Sequence, residues 1–141
     1  MKKRVIIFMS IITIMLGISA AADAEIFIIV NNEVPVDSLS EKDARDIYLG
    51  HITKWNTGKK IVIVILKRGK THDDFTRNIL GIAPEKLARF WKRAFFSGSG
   101  NLPKICNTEE RMVEIVAKYP GAIGYIDSET EHPPVKSFPL R

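Results

Sequence analysis

Lys67-Arg68-Gly69-Lys70-Thr71 joins an apolar run, Lys60 to Leu66, to a segment of helical spacing, and His72-Asp73-Asp74 follows it. Three cations, a glycine and a hydroxyl at a strand-to-helix junction can make an anion site. The first N–H groups of a helix lack intrahelical acceptors and carry partial positive charge, to which Lys67, Arg68 and Lys70 add theirs and Thr71 a hydroxyl donor. A polyphosphate loop is excluded, because its pattern requires glycine five residues before Gly69, where Val64 stands. One phosphate, sulfate or carboxylate remains as the size of ligand. Asp73 and Asp74 offer the competing arrangement: two carboxylates in the first turn complement the dipole themselves, leaving a charged loop and a self-capped helix.

Other chemistry is sparse. Phe96-Ser97-Gly98-Ser99-Gly100-Asn101 can form either a nest of N–H groups or a helix cap and connection. His51, His72 and His132 are scattered, and His72 is followed by two carboxylates, too few ligands for a metal. Cys106 is the single cysteine, which excludes an internal disulfide and fits a buried small hydrophobe. No nucleophile–base pair is recognisable, so an enzyme is not expected, and no cofactor is implied. Lys86, Arg89, Lys92 and Arg93 form a basic helix face, with Glu85 spaced to pair with Arg89; it serves as a solvated face or meets an acidic partner or anionic membrane.

The elements that must position these residues follow from periodicity. Glu25 to Val30 and Lys60 to Leu66 are continuous apolar runs suited to strands buried on both faces, and Gly121 to Ile126 reads as a third strand. Leu102 to Cys106 and Val135 to Phe138 are weaker strands. Ser40 caps a helix with Ala44, Ile47 and Tyr48 inside and Gly50 as its stop. A second helix spans Thr71 to Leu80. Pro84 opens the clearest one, with Leu87, Phe90, Trp91, Ala94 and Phe95 as its apolar stripe, and a fourth runs from Thr108 to Tyr119. Alternating strands and helices predict an α/β fold, a parallel or mixed sheet covered by helices.

The N-terminus bears on compartment. Met1-Lys2-Lys3-Arg4 precedes an apolar run from Val5 to Ile18 and the small-residue tripeptide Ala22-Asp23-Ala24, the pattern of a secretory signal cut between Ala24 and Glu25. Residues 25–141 are then the exported, soluble domain, with no membrane span left. Removing Lys2, Lys3, Arg4 and Asp23 from the totals leaves 18 basic and 15 acidic residues, a net charge of +3 that gives no reason to expect nucleic acid.

Ser40 to Trp55 (SEKDARDIYLGHITKW), Ile61 to Phe75, Ser97-Gly98-Ser99-Gly100 and Tyr119-Pro-Gly-Ala-Ile-Gly-Tyr125 together resemble the phosphate-binding protein of phosphate ABC transporters and its wider type II periplasmic binding protein family. The resemblance implies a single lobe of that fold, the second, with a mixed, mostly parallel sheet. The family's first lobe has no room in residues 25–141, so closure over a ligand is expected to need a homodimer or another envelope protein. Together with the cationic loop the resemblance gives a candidate ligand set of Lys67, Arg68, Lys70, Thr71, His72 and Asp73, the family's arginine position falling on Lys67 or Arg68. The family opens its phosphate helix with Ser-Gly-Thr, which falls here on Thr71, His72 and Asp73. Thr71 keeps a hydroxyl, His72 replaces the glycine that lets a ligand approach the backbone, and Asp73 places an acceptor against an acceptor-rich anion. Weak binding of phosphate or a similar anion is the implied function; a single-lobe interaction module of the cell envelope that has lost phosphate binding is the alternative.

Overall fold

The computed structural model describes residues 25–98, 101–127, 130 and 134–140. Strand β1 is Ile26–Val30, helix α1 Glu41–Tyr48, strand β2 Val62–Leu66, helix α2 Lys70–Asp74, helix α3 Pro84–Phe96, strand β3 Lys104–Cys106, helix α4 Glu109–Lys118, strand β4 Ala122–Asp127 and strand β5 Lys136–Pro139. A π-helical turn, Phe75–Leu80, follows α2 directly.

The strands form one sheet in the order β3-β2-β4-β1-β5. Strand β2 runs parallel to β3 and β4, whereas β1 is antiparallel to both β4 and β5. The sheet is therefore mixed, with β1 alone reversed. Ile28, Ile29 and Val30 are all fully buried, as a strand covered on both faces requires.

Neighbouring residues of β4 show what covers each face, since successive side chains point to opposite sides. At Gly124 an added Cβ would lie 2.8 Å from Met112 Sδ and 3.1 Å from Val116 Cγ2, so the lack of a side chain seats α4 against the sheet. Next to it, the Tyr125 ring stacks on Phe75 of the π-helical turn at 3.9 Å and meets Tyr48 of α1 edge-on at 5.8 Å. Buried Asn31 ties the end of β1 to α4 by donating from Nδ2 to the Val116 and Ala117 carbonyls at 2.9 and 3.0 Å.

Local chemistry sets the helix ends. Ser40 caps α1 through a reciprocal box with Asp43, and Thr108 caps α4. The expected single helix from Thr71 to Leu80 instead widens after Asp74. Buried Thr76 donates its hydroxyl to the His72 and Asp73 carbonyls at 3.0 and 3.1 Å, a back-bond that competes with the regular ladder, before Gly81 ends the turn at φ 71°. Helix α3 also departs from expectation, because only Leu87 of its apolar stripe is buried. Phe90 and Trp91 lie beside Gly50, where a Cβ would come 3.6 Å from Trp91 Cη2.

Two of the four segments that carry the resemblance, Ser40 to Trp55 and Tyr119 to Tyr125, meet at Gly121. Its carbonyl accepts from Trp55 Nε1 at 2.9 Å and from the Val62 N–H at 3.1 Å, and at φ 82° a Cβ would sit 2.4 Å from the Lys60 carbonyl oxygen. Gly58 has a similar φ of 85° with nothing within 4 Å. Gly121→Ala is expected to cost about 2–4 kcal/mol in urea denaturation and Gly58→Ala about 1 kcal/mol. Equal costs would contradict the close approach at Gly121.

Candidate functional site

Strand β2 delivers the cationic loop to one end of the sheet. The Lys67 N–H extends the pairing with β3 by donating to the Cys106 carbonyl at 2.9 Å, and the side chains of Lys67 and Arg68 stand exposed, with no ion pair among the described residues. Gly69, at φ 115°, is the N-cap of α2 and provides no side-chain cap. The self-capped arrangement is therefore not adopted: Asp74 pairs with Lys70 along the helix, and Asp73 is exposed. Thr71 is half-buried at the same helix start.

His72 turns its Nδ1 toward the core. It is 5% exposed, and its Nδ1 lies 2.6 Å from the Tyr125 hydroxyl, which accepts the Leu66 N–H at 3.0 Å. No other acceptor faces the phenolic proton among the described residues, so it is directed to Nδ1, and the imidazole accepts there and carries its own proton on Nε2. Burial holds the His72 pKa below its ordinary value, with Asp73 and then Glu85 opposing in part, and burial raises the Tyr125 pKa strongly. A neutral imidazole and a neutral phenol are what this hydrogen bond needs. Burial also pushes the Cys106 thiol up to about 11, and its Sγ faces the Ile65 carbonyl at 3.8 Å, an inert placement.

Four of the six expected site residues line one cavity: Lys67, Arg68, His72 and Asp73. Lys70 and Thr71 do not line it. The cavity measures about 540 Å³ and runs as an open groove from the cationic loop along α3. Its walls are apolar, including Ile65, Leu87, Trp91, Phe95 and Ile105. The buried Trp91 Nε1 has no hydrogen-bond partner among the described residues. These wall residues were missed as site residues because the α3 stripe has the spacing of a core-facing helix; its failure to be covered is a tertiary outcome.

The remaining sequence-level candidates resolve simply. Ser97 and Gly98 close α3 through bonds to the Arg93 and Phe95 carbonyls, the cap-and-connection arrangement, while Ser99 and Gly100 lie outside the described residues. The expected Glu85–Arg89 ion pair does not form. His51 pairs with Asp46, and His132 lies outside the described residues. Among the described residues there is no group of three metal-ligating side chains, and no helix is long and apolar enough to cross a membrane.

A mixed five-stranded sheet, helices on both faces and a cationic loop at the end of β2 define one lobe of a solute-binding-protein fold. The chain belongs to the PBP superfamily: the family described as a PBP superfamily domain matches residues 19–136. An ABC-type phosphate transport receptor from Vibrio cholerae is similar at a TM-score of 0.61 and 19% identity, over 81% of this chain and 45% of the receptor. A structure described as a phosphate ABC transporter substrate-binding protein with bound phosphate, from Clostridium perfringens, gives a TM-score of 0.61 and 23% identity over 84% and 44%. PstS from Borrelia burgdorferi gives 0.57 and 15% over 74% and 41%. The chain thus spans less than half the length of each. No curated protein matches the sequence.

Tyr125→Phe leaves the buried Leu66 N–H and His72 Nδ1 without a partner and is expected to cost about 2 kcal/mol in chemical denaturation. Because the His72 pKa is lowered on folding, the unfolded chain takes up that proton first. Stability is complete above about pH 6.5 and falls as pH drops through the folded pKa. His72→Gln should be less stable at neutral pH yet show a shallower loss between about pH 7 and pH 5. A slope equal to that of the parent would contradict a neutral, buried His72.

Proposed function

We propose that this chain is an exported solute-binding-like domain, not an enzyme, which takes phosphate or a similar small anion weakly at the loop from Lys67 to Asp73. The observation that carries the reading is the helix start at Gly69: it lacks a side-chain cap and has beside it the exposed Lys67 and Arg68, unpaired among the described residues. Open N–H groups and two cations favour an oxyanion there. Membership of the PBP superfamily and the likeness to phosphate-binding lobes support the same reading. Export rests on the Lys2-Lys3-Arg4 start, the apolar run and Ala22-Asp23-Ala24, read as a signal removed before Glu25 and leaving a soluble periplasmic domain.

Weakness follows from the same geometry. His72 occupies the place where the family has glycine and is committed to the core, and exposed Asp73 adds a carboxylate in the first turn that opposes an anion. Isothermal titration with phosphate and with sulfate should give dissociation constants of about 1 mM, weakened at least about threefold by Arg68→Gln. No heat at tens of millimolar would remove the reading, and micromolar binding would contradict the weakening by His72 and Asp73.

A second reading, an interaction module of the cell envelope that meets another protein or a second copy, is favoured by one observation. The apolar stripe of α3 is left largely uncovered, with Phe95 59% exposed.

A further inference from the structure

The exposed apolar side chains gather in one place. Phe95 at 59%, Phe96 at 74% and Ile105 at 67% exposure stand at the end of α3 and on β3, with Leu102 between them in sequence. Three of the four also line the 540 Å³ groove. A contiguous apolar surface of this kind marks a site of contact, and its reach past the groove to Phe96 exceeds what a small ligand would cover.

Shape narrows the occupant. Strand β3 is the edge of the sheet, but it has only three residues, follows Pro103 and begins at Lys104, features that discourage addition of another strand. The groove follows α3, whose 13 residues extend about 20 Å and offer apolar groups at i, i+3, i+4 spacing, the surface into which a second helix packs. A flat bilayer cannot enter a concave groove.

Charge narrows it further. Lys67, Arg68 and Lys92 line the groove without an ion pair, against Asp73 and Glu85, and Arg89 and Arg93 extend the positive side along α3. A second copy would bring the same basic rim against itself. Resting on the interaction-module reading, we propose that the groove between α3 and β3 receives an amphipathic helix of another protein, apolar on its inner stripe and acidic along its flanks. Its apolar side chains fill the space between Leu87, Trp91 and Ile105, and its carboxylates meet Lys67, Arg68 and Lys92.

The test uses two synthetic helical peptides of about 16 residues with one leucine stripe, flanked by glutamate in one and lysine in the other, titrated by fluorescence anisotropy into the purified protein. The acidic peptide should bind at least about tenfold tighter than the basic one, and more weakly as salt rises. Phe95→Glu and Ile105→Glu, both at side chains more than half exposed, should each weaken it about tenfold. Lys67→Glu with Lys92→Glu should reverse the preference toward the basic peptide. Absent binding, equal binding of the two peptides, or binding indifferent to these substitutions would overturn the proposal. So would a dimer dissociated by Phe95→Glu, which assigns the surface to a second copy and leaves the interaction-module reading standing. Adsorption to phosphatidylglycerol vesicles lost in Ile105→Glu would also overturn it, assigning the surface to a membrane.

Discussion

The Tyr125 hydroxyl is the interaction on which the arrangement of this lobe depends. It sits in the core between three elements, accepting the last N–H of β2 at Leu66 and giving its proton to His72 of α2, while its ring stacks on Phe75 and meets Tyr48 of α1. The loop from Lys67 to Gly69 spans the short interval between the first two of these anchors. Tyr48 repeats the device nearby, its hydroxyl facing the Val64 and Ile123 carbonyls at 3.2 and 3.4 Å. Buried polar groups are costly unless satisfied, so these contacts specify one packing among the many an apolar core would accept.

This explains why the recognisable motifs are recognisable. Tyr48, Trp55, Gly121 and Tyr125 have no exposed role; Trp55 is tied to Gly121, and Tyr48 lies against Tyr125. They form the frame of the lobe. His72 belongs to the same frame, a buried anchor at the start of α2.

Much of the frame was legible in the sequence, because strands buried on both faces give continuous apolar runs and capped helices announce their starts. The Ser40 cap, the β1, β2 and β4 runs and the buried Cys106 all follow from residue type and spacing. The π-helical turn was not legible, since it depends on where the Thr76 hydroxyl finds carbonyls. The inward turn of His72 depends on Tyr125, 53 residues away, and no local pattern carries that. The α3 stripe misled for the same reason: periodicity reports which face is apolar, whereas coverage depends on what lies opposite. Of the site, the cations at the end of β2 were legible and the groove beside them was not.

Tyr125 holds His72 in the frame of the lobe. Nitrogen and Cε1–H NMR shifts of the His72 ring, followed from about pH 8 to about pH 5 with and without phosphate, test it most directly. A neutral ring protonated on Nε2, a titration midpoint below the ordinary histidine value and no response to phosphate are expected. A proton on Nδ1, a midpoint at or above the ordinary value, or a shift on adding phosphate would contradict it.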